Sequence, residues 1–88
     1  PLLYSMACHT DKSLQQAERL GVDMAFLSPV KRTSSHIEVE PLGWPRFAQW
    51  AQQVAIPVYA LGGLDPLDLA TARANGARGI AGISGFLR

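Results

Sequence analysis

Apolar residues fall in short blocks along this chain, and the spacing within each block separates strands from helices. Residues 2–7, 24–28, 57–61 and 79–83 are brief apolar runs, and runs of this length bounded by turn residues predict buried strands. Between the first two, Leu14, Ala17 and Leu20 recur every three residues, which predicts a helix capped by Thr10 or Asp11 and closed by Gly21. After the second run, Pro29 stops the strand and residues 30–43 are polar and irregular, as expected of a long loop. Trp44, Phe47, Ala48, Ala51, Val54 and Ala55 then mark the stripe of a second helix, with Pro45 in its first turn, where a missing N–H costs nothing. Asp65-Pro66-Leu67-Asp68 reads as the start of a third, with a carboxylate cap, Pro at the first position and a second carboxylate near the helix dipole. Gly76 ends that helix in the left-handed conformation.

The resulting order is β-α-β-loop-α-β-α-β, with strands apolar throughout, the pattern of a parallel sheet covered on both faces. A weak internal repeat, Leu20-Gly21-Val22-Asp23 and Asn75-Gly76-Ala77-Arg78, marks the same helix-to-strand return twice. Side chains alternate along a strand, so Ser5, Ala7 and His9 share one face and Tyr4, Met6 and Cys8 the other. The small set is expected to face a crowded barrel interior, and Val58, Ala60 and Gly62 are grouped with it. The expected architecture is α/β, the C-terminal half of a (β/α)₈ TIM barrel with four parallel strands and three helices; an open doubly wound sheet is the alternative. Residues 1–88 then form a single partial domain, the second half of a barrel whose N-terminal half is missing. The start at Pro1, without Met and directly before a strand, fits a piece of something longer. Half a barrel exposes two strand edges and an apolar inner face, so its partner is expected to be the missing half-barrel or a second copy of itself.

Composition narrows the function. Hydrophobic residues make up 48% and charged residues 17%, near the average for folded domains, and a chain of this length buries one modest core. The net charge of +1 is carried by scattered residues, so neither nucleic acid nor a membrane is an expected partner. The apolar runs are too short and too often interrupted by Gly or Pro for a membrane span. A single cysteine, Cys8, rules out an intrachain disulfide and a cysteine-rich zinc site, and makes the cytoplasm the default compartment.

Ligands of parallel α/β folds bind beyond the C-terminal ends of the strands. Those ends carry His9, then Ser28 with the loop from Lys31 to His36, then Gly62-Gly63, then Ser84-Gly85. Gly62-Gly63 allows close approach of the main chain to a ligand, and Ile83-Ser84-Gly85 offers successive N–H groups at a helix start; together they suggest a phosphate cradle. Gly62-Gly63 as a plain turn and Gly85 as a packing residue are the alternatives. The loop Lys31-Arg32-Thr33-Ser34-Ser35-His36 gathers two cations, three hydroxyls and an imidazole, which suits a phosphate clamp or an ordinary solvated loop. His9 is a candidate general acid/base, because imidazole titrates near neutral pH; a satisfied core histidine is the alternative. Asp65 and Asp68 are read as capping residues, and no metal-ligand cluster stands out.

Taken in order, Ala7-Cys8-His9-Thr10, Leu27-Ser28-Pro29-Val30 with Thr33-x-Ser35-His36 and Pro41-Leu42-Gly43, Pro57 to Leu64 (PVYALGGL), and Gly76 to Gly85 resemble the second half of the thiamine phosphate synthase and thiazole tautomerase superfamily. The stretches LSPV, PLGW, PVYALGGL and GIAGISGF are most similar to the synthase-like domain fused behind MutT-type Nudix hydrolases. The resemblance implies a site for a phosphorylated thiazole, made by Thr33, Gly63 and the Ile83-Ser84 backbone, and places His9 where the tautomerase branch has its catalytic histidine. It also implies that Mg²⁺, absent from the expected cofactors of this half, belongs with acids of the first half in the intact barrel. Synthases of this family generally have Ser in place of Ala7 and Lys in place of His36, groups that help hold the pyrophosphate leaving group. Their loss bears on pyrophosphate expulsion more than on proton transfer by His9. A phosphate-ligand-binding regulatory domain attached to a Nudix hydrolase is the alternative function.

Overall fold

The computed structural model describes residues 3–31 and 40–81. Its elements are β1 (Ser5–Cys8), α1 (Asp11–Leu20), β2 (Met24–Leu27), α2 (Gly43–Ala51), β3 (Val58–Leu61), a 3₁₀ turn (Pro66–Asp68) running into α3 (Leu69–Ala74), and β4 (Gly79–Ala81). The strands form one parallel sheet in the order β1-β2-β3-β4.

That order decides between the two architectures. A doubly wound sheet reverses its strand order and takes helices on both faces, whereas here each strand lies beside its predecessor. The helices cover the same face, because Leu14 and Ala17 of α1, Phe47 of α2 and Ala72 of α3 share one core with Cys8, Leu27 and Ala60. Sequential strands with helices on one side make a singly wound α/β sheet, consistent with half of a TIM barrel.

Local chemistry sets the helix ends. Thr10 caps α1: its Oγ1 accepts from the Ser13 N–H at 3.0 Å, and the Ser13 Oγ accepts from the Thr10 N–H at 3.1 Å. At the other end Gly21 has φ +78° and donates to the carbonyls of Ala17 and Glu18. Leu20, placed in the buried stripe by its spacing, is instead 64% exposed, so Leu14 and Ala17 alone anchor the helix. Asp65 starts the 3₁₀ turn by accepting from the Leu67 N–H at 2.7 Å, with Pro66 at the first position.

Two expectations need correction. The second helix ends at Ala51, short of Val54 and Ala55. The Val54 N–H turns back to the Ala51 carbonyl, and the Ala55 N–H is taken by Glu18 Oε2 of α1, so a non-local acceptor replaces the next helical bond. The second correction concerns faces: Val58 and Ala60 do not stand with Ser5 and Ala7. Leu27 pairs in register with both Cys8 and Ala60, which puts Ala60 on the helix-covered side. Ala7 lines up instead with Phe26 and Tyr59, whose rings meet at 5.6 Å on the opposite face. The inner face is thus small on β1 and aromatic on β2 and β3. Among the described residues no helix is long and apolar enough to cross a membrane.

Candidate active site

His9 follows β1 directly, exposed at the strand tip. Its Nδ1 lies 3.0 Å from the Ser28 carbonyl oxygen and 3.4 Å from the Ser28 hydroxyl. A carbonyl oxygen only accepts, so the contact requires Nδ1 to carry a proton and leaves Nε2 as the lone-pair nitrogen of the neutral ring. Ser28 is itself held: it is 8% exposed, and its N–H donates to the Cys8 carbonyl at 3.1 Å. The β1–β2 ladder therefore extends one rung past the strands and presents a fixed acceptor to the imidazole. Cys8, the neighbour of His9, is fully buried on the helix side. Burial pushes its thiol up in pKa, partly offset by a hydrogen bond with the Ser13 side chain.

The tail of β2 runs from a cis Ser28-Pro29 peptide through Val30 to Lys31 along the end of β3. Val30 N–H donates to the Leu61 carbonyl and Lys31 N–H to the Gly62 carbonyl, each at 3.0 Å. This close approach is why residue 62 is glycine: with φ +104°, a Cβ there would stand 2.6 Å from Pro29 Cα. The close approach of Pro29 thus requires a glycine at this position by itself. Gly63, next along, is exposed with φ +70°, and its N–H meets no acceptor among the described residues.

Lys31 Nζ donates to Asp68 Oδ1 at 2.8 Å. The hydrogen bond to Asp68 holds the Lys31 ammonium above its ordinary pKa, and the Lys31 bond, with a second from the Asp65 backbone, holds the Asp68 carboxyl below its own. Asp68 thus does more than cap a helix. Neither this pair nor the His9–Ser28 contact is visible in the sequence, because each joins residues far apart in the chain; the nearest signal is the position of His9, Ser28 and Lys31 at strand ends, with Asp68 legible only as a cap.

Of the residues singled out from the sequence, the structure places His9 at the tip of β1 and Gly62 and Gly63 at the tip of β3. Thr33, Ser35, His36, Ile83, Ser84 and Gly85 lie outside the described residues. No group of three His, Cys, Asp or Glu side chains is placed to hold a metal among the described residues. The carboxylates nearest the site, Asp65 and Asp68, are committed to backbone N–H groups and Lys31. Engaged in this way, they do not fit a Mg²⁺ site, and the Mg²⁺ that the resemblance implies is expected with the acids of the first half of the intact barrel.

A singly wound parallel sheet, helices on one side and polar groups gathered at the strand tips, defines a barrel-type α/β domain, a class whose sites generally lie beyond the C-terminal strand ends. The chain belongs to the thiamine monophosphate synthase family, whose model matches residues 2–86. It is 42% identical to a putative thiamine-phosphate synthase 2 of Aquifex aeolicus, over 97% of this chain and 46% of that protein. It is 34% identical to a putative thiamine-phosphate synthase of Geobacter sulfurreducens, over 97% of this chain and 40% of the relative. A thiamine-phosphate synthase of Herpetosiphon aurantiacus is 35% identical over 83% of the chain and 36% of its own length. The chain spans less than half the length of each of these relatives.

Proposed function

We propose that the whole protein is a thiamine-biosynthesis enzyme that binds a phosphorylated thiazole at these strand tips. It either joins the thiazole to the pyrimidine of a pyrimidine diphosphate, with pyrophosphate as the leaving group, or shifts a proton on the thiazole ring, with His9 as acid/base. The observation that carries this reading is the His9–Ser28 contact: a carbonyl that holds Nδ1–H leaves Nε2 available to take and return a proton. Gly63 supports the binding half, because an exposed glycine N–H at a strand tip suits an oxyanion. Thr33, Ser35, His36, Ile83, Ser84 and Gly85 complete the phosphate site in this proposal. The names of the relatives favour the synthase reaction, and the imidazole geometry favours proton transfer.

In this proposal the open face, with Phe26 and Tyr59, is covered by the N-terminal half-barrel, or by a second copy where that half is absent. Mg²⁺ ligands come from that other half. The protein works in the cytoplasm, where a lone buried thiol such as Cys8 stays reduced.

A second reading, a non-catalytic phosphate-ligand module beside a Nudix hydrolase, is favoured by Ala7. Its methyl stands exposed on the inner face, where the family resemblance implies a synthase serine. Assays of both reactions on the whole protein and on His9→Ala, with calorimetry against thiazole phosphate and thiamine phosphate, separate these readings. Turnover lost in His9→Ala with binding retained supports the enzyme; tight binding without turnover in the wild type supports the module. Absence of binding to either ligand removes both.

A further inference from the structure

Lys31 and Asp68 have no part in the proton-transfer and oxyanion roles proposed above, yet they connect them. The Lys31 main chain donates to the Gly62 carbonyl at 3.0 Å, and its side chain donates to Asp68 Oδ1 at 2.8 Å. Asp68 divides its carboxylate: while Oδ1 takes Lys31, Oδ2 accepts from the Asp65 N–H at 3.0 Å. The segment from Gly62 to Asp65, which contains Gly63, is therefore gripped at both ends from one lysine. The same β2 tail carries Ser28, whose carbonyl holds His9. From Ser28 and Lys31, three residues apart on one main chain, hydrogen bonds thus reach the imidazole on one side and both ends of the glycine turn on the other.

We infer that Lys31 and Asp68 form a positioning pair that sets where the Gly63 N–H stands relative to His9, and so how tightly the site holds an oxyanion. The inference rests on the proposed function for its ligand. The pair is open to water, with side chains 48% and 13% exposed, and ion pairs in such settings add little to folding stability. Its contribution is geometric. Two tips of neighbouring strands, each ending in irregular backbone, keep a fixed offset only if something bridges them beyond the ladder.

The experiment uses the whole protein with Lys31→Met, Asp68→Asn, the double variant and Lys31→Arg. Asn at 68 keeps an oxygen for the Asp65 N–H and loses the charge and the acceptor that Lys31 uses, so a lost cap is not mistaken for a lost pair. Each single variant is expected to raise the Kd for thiazole phosphate and for inorganic phosphate on the order of tenfold, and the double variant no further than the worse single one. Lys31→Arg recovers most of the loss, KM rises more than kcat falls, and Tm hardly moves. Unchanged Kd values, additive losses, or a fall in Tm that accounts for the weaker binding would overturn the pair. Hydrogen exchange at the Asp65 amide gives a readout free of any ligand: it quickens in Lys31→Met if Lys31 orients Asp68, and an unchanged rate also overturns the inference. A wild-type protein that binds neither phosphate ligand overturns the proposed function instead, and leaves the exchange result to decide the pair.

Discussion

The Nδ1 atom of His9 and the carbonyl oxygen of Ser28 are 3.0 Å apart, joining the tips of two neighbouring parallel strands through a side chain on one and the main chain of the other. A hydroxyl partner can donate or accept, but a carbonyl can only accept, so this contact selects one imidazole tautomer. The neutral ring is expected to carry its proton on Nδ1, which nitrogen-15 NMR of labelled histidine in the whole protein reads directly. Protonation on Nε2 would remove the basis for assigning that atom the role of base.

Gly62 and Gly21 both have positive φ, but they differ in surroundings. A Cβ at Gly21 meets nothing within 4 Å, while one at Gly62 meets the Pro29 backbone at 2.6 Å. Gly21→Ala is therefore expected to cost about 1 to 2 kcal/mol, the conformational penalty alone. Gly62→Ala should cost about 3 kcal/mol or more, since the β2 tail must also move. Urea unfolding of the two variants gives the comparison, and equal costs would mean that the close approach of Pro29 is not maintained in solution.

Thr10 satisfies the first turn of α1 through its reciprocal bonds with Ser13. Thr10→Ala is expected to lower stability by about 1 kcal/mol, and Thr10→Ser by much less, because serine supplies the same oxygen. Chemical denaturation checks both. Because His9 N–H also donates to the Ser13 hydroxyl at 3.2 Å, Ser13→Ala should disturb the strand tip as well as the helix.

The Lys31–Asp68 pair gives stability two small pH dependences. Asp68 has its carboxyl pKa depressed by Lys31 first and then by the Asp65 N–H, so its contribution is present above the unfolded carboxylate pKa of about 4 and is lost as pH falls through the folded value. Lys31 has its pKa raised, so its contribution is present below an unfolded value of about 10.4 and is lost as pH rises through the folded one. Asp68→Asn should flatten both slopes, and added salt should shrink the wild-type slopes because the pair faces water. Stability measured against pH for the two proteins, at low and high salt, tests the sign and the screening.

Cys8 is fully buried, with its thiol pKa raised mainly by that burial. Since the thiolate is the reactive form, the folded protein is expected to resist iodoacetamide at pH 8 and to react promptly once unfolded. Fast labelling of the native state would place Cys8 on an open surface, against the packing of β1 on α1.

Much of the fold is legible along the chain because its cues act over a few residues. Thr10 caps by reaching Ser13, Gly21 ends a helix through its own φ, and Asp65-Pro66 starts one with a carboxylate and a fixed ring. Four short apolar runs separated by helical stripes suffice for a parallel α/β sheet. The faces were harder. Alternation shows that Val58 and Ala60 share a side, but not which side, and only the register Cys8–Leu27–Ala60 puts them under the helices. The end of α2 is hidden for a related reason: its apolar spacing continues to Ala55, while Glu18, from another helix, takes the backbone bond that would extend it.

The amino-acid order alone determined the order of the elements, most of their ends and the strand tips where His9, Gly62 and Gly63 stand, because these follow from local sterics and periodicity. The folded chain decided which partners those tips meet: Ser28 for His9, 19 residues on, and Asp68 for Lys31, 37 residues on. It also gave Gly62 a packing reason, the close approach of a neighbouring strand tail. Contacts between residues so distant depend on strand register and on the return of each helix, and those exist only once the sheet has assembled.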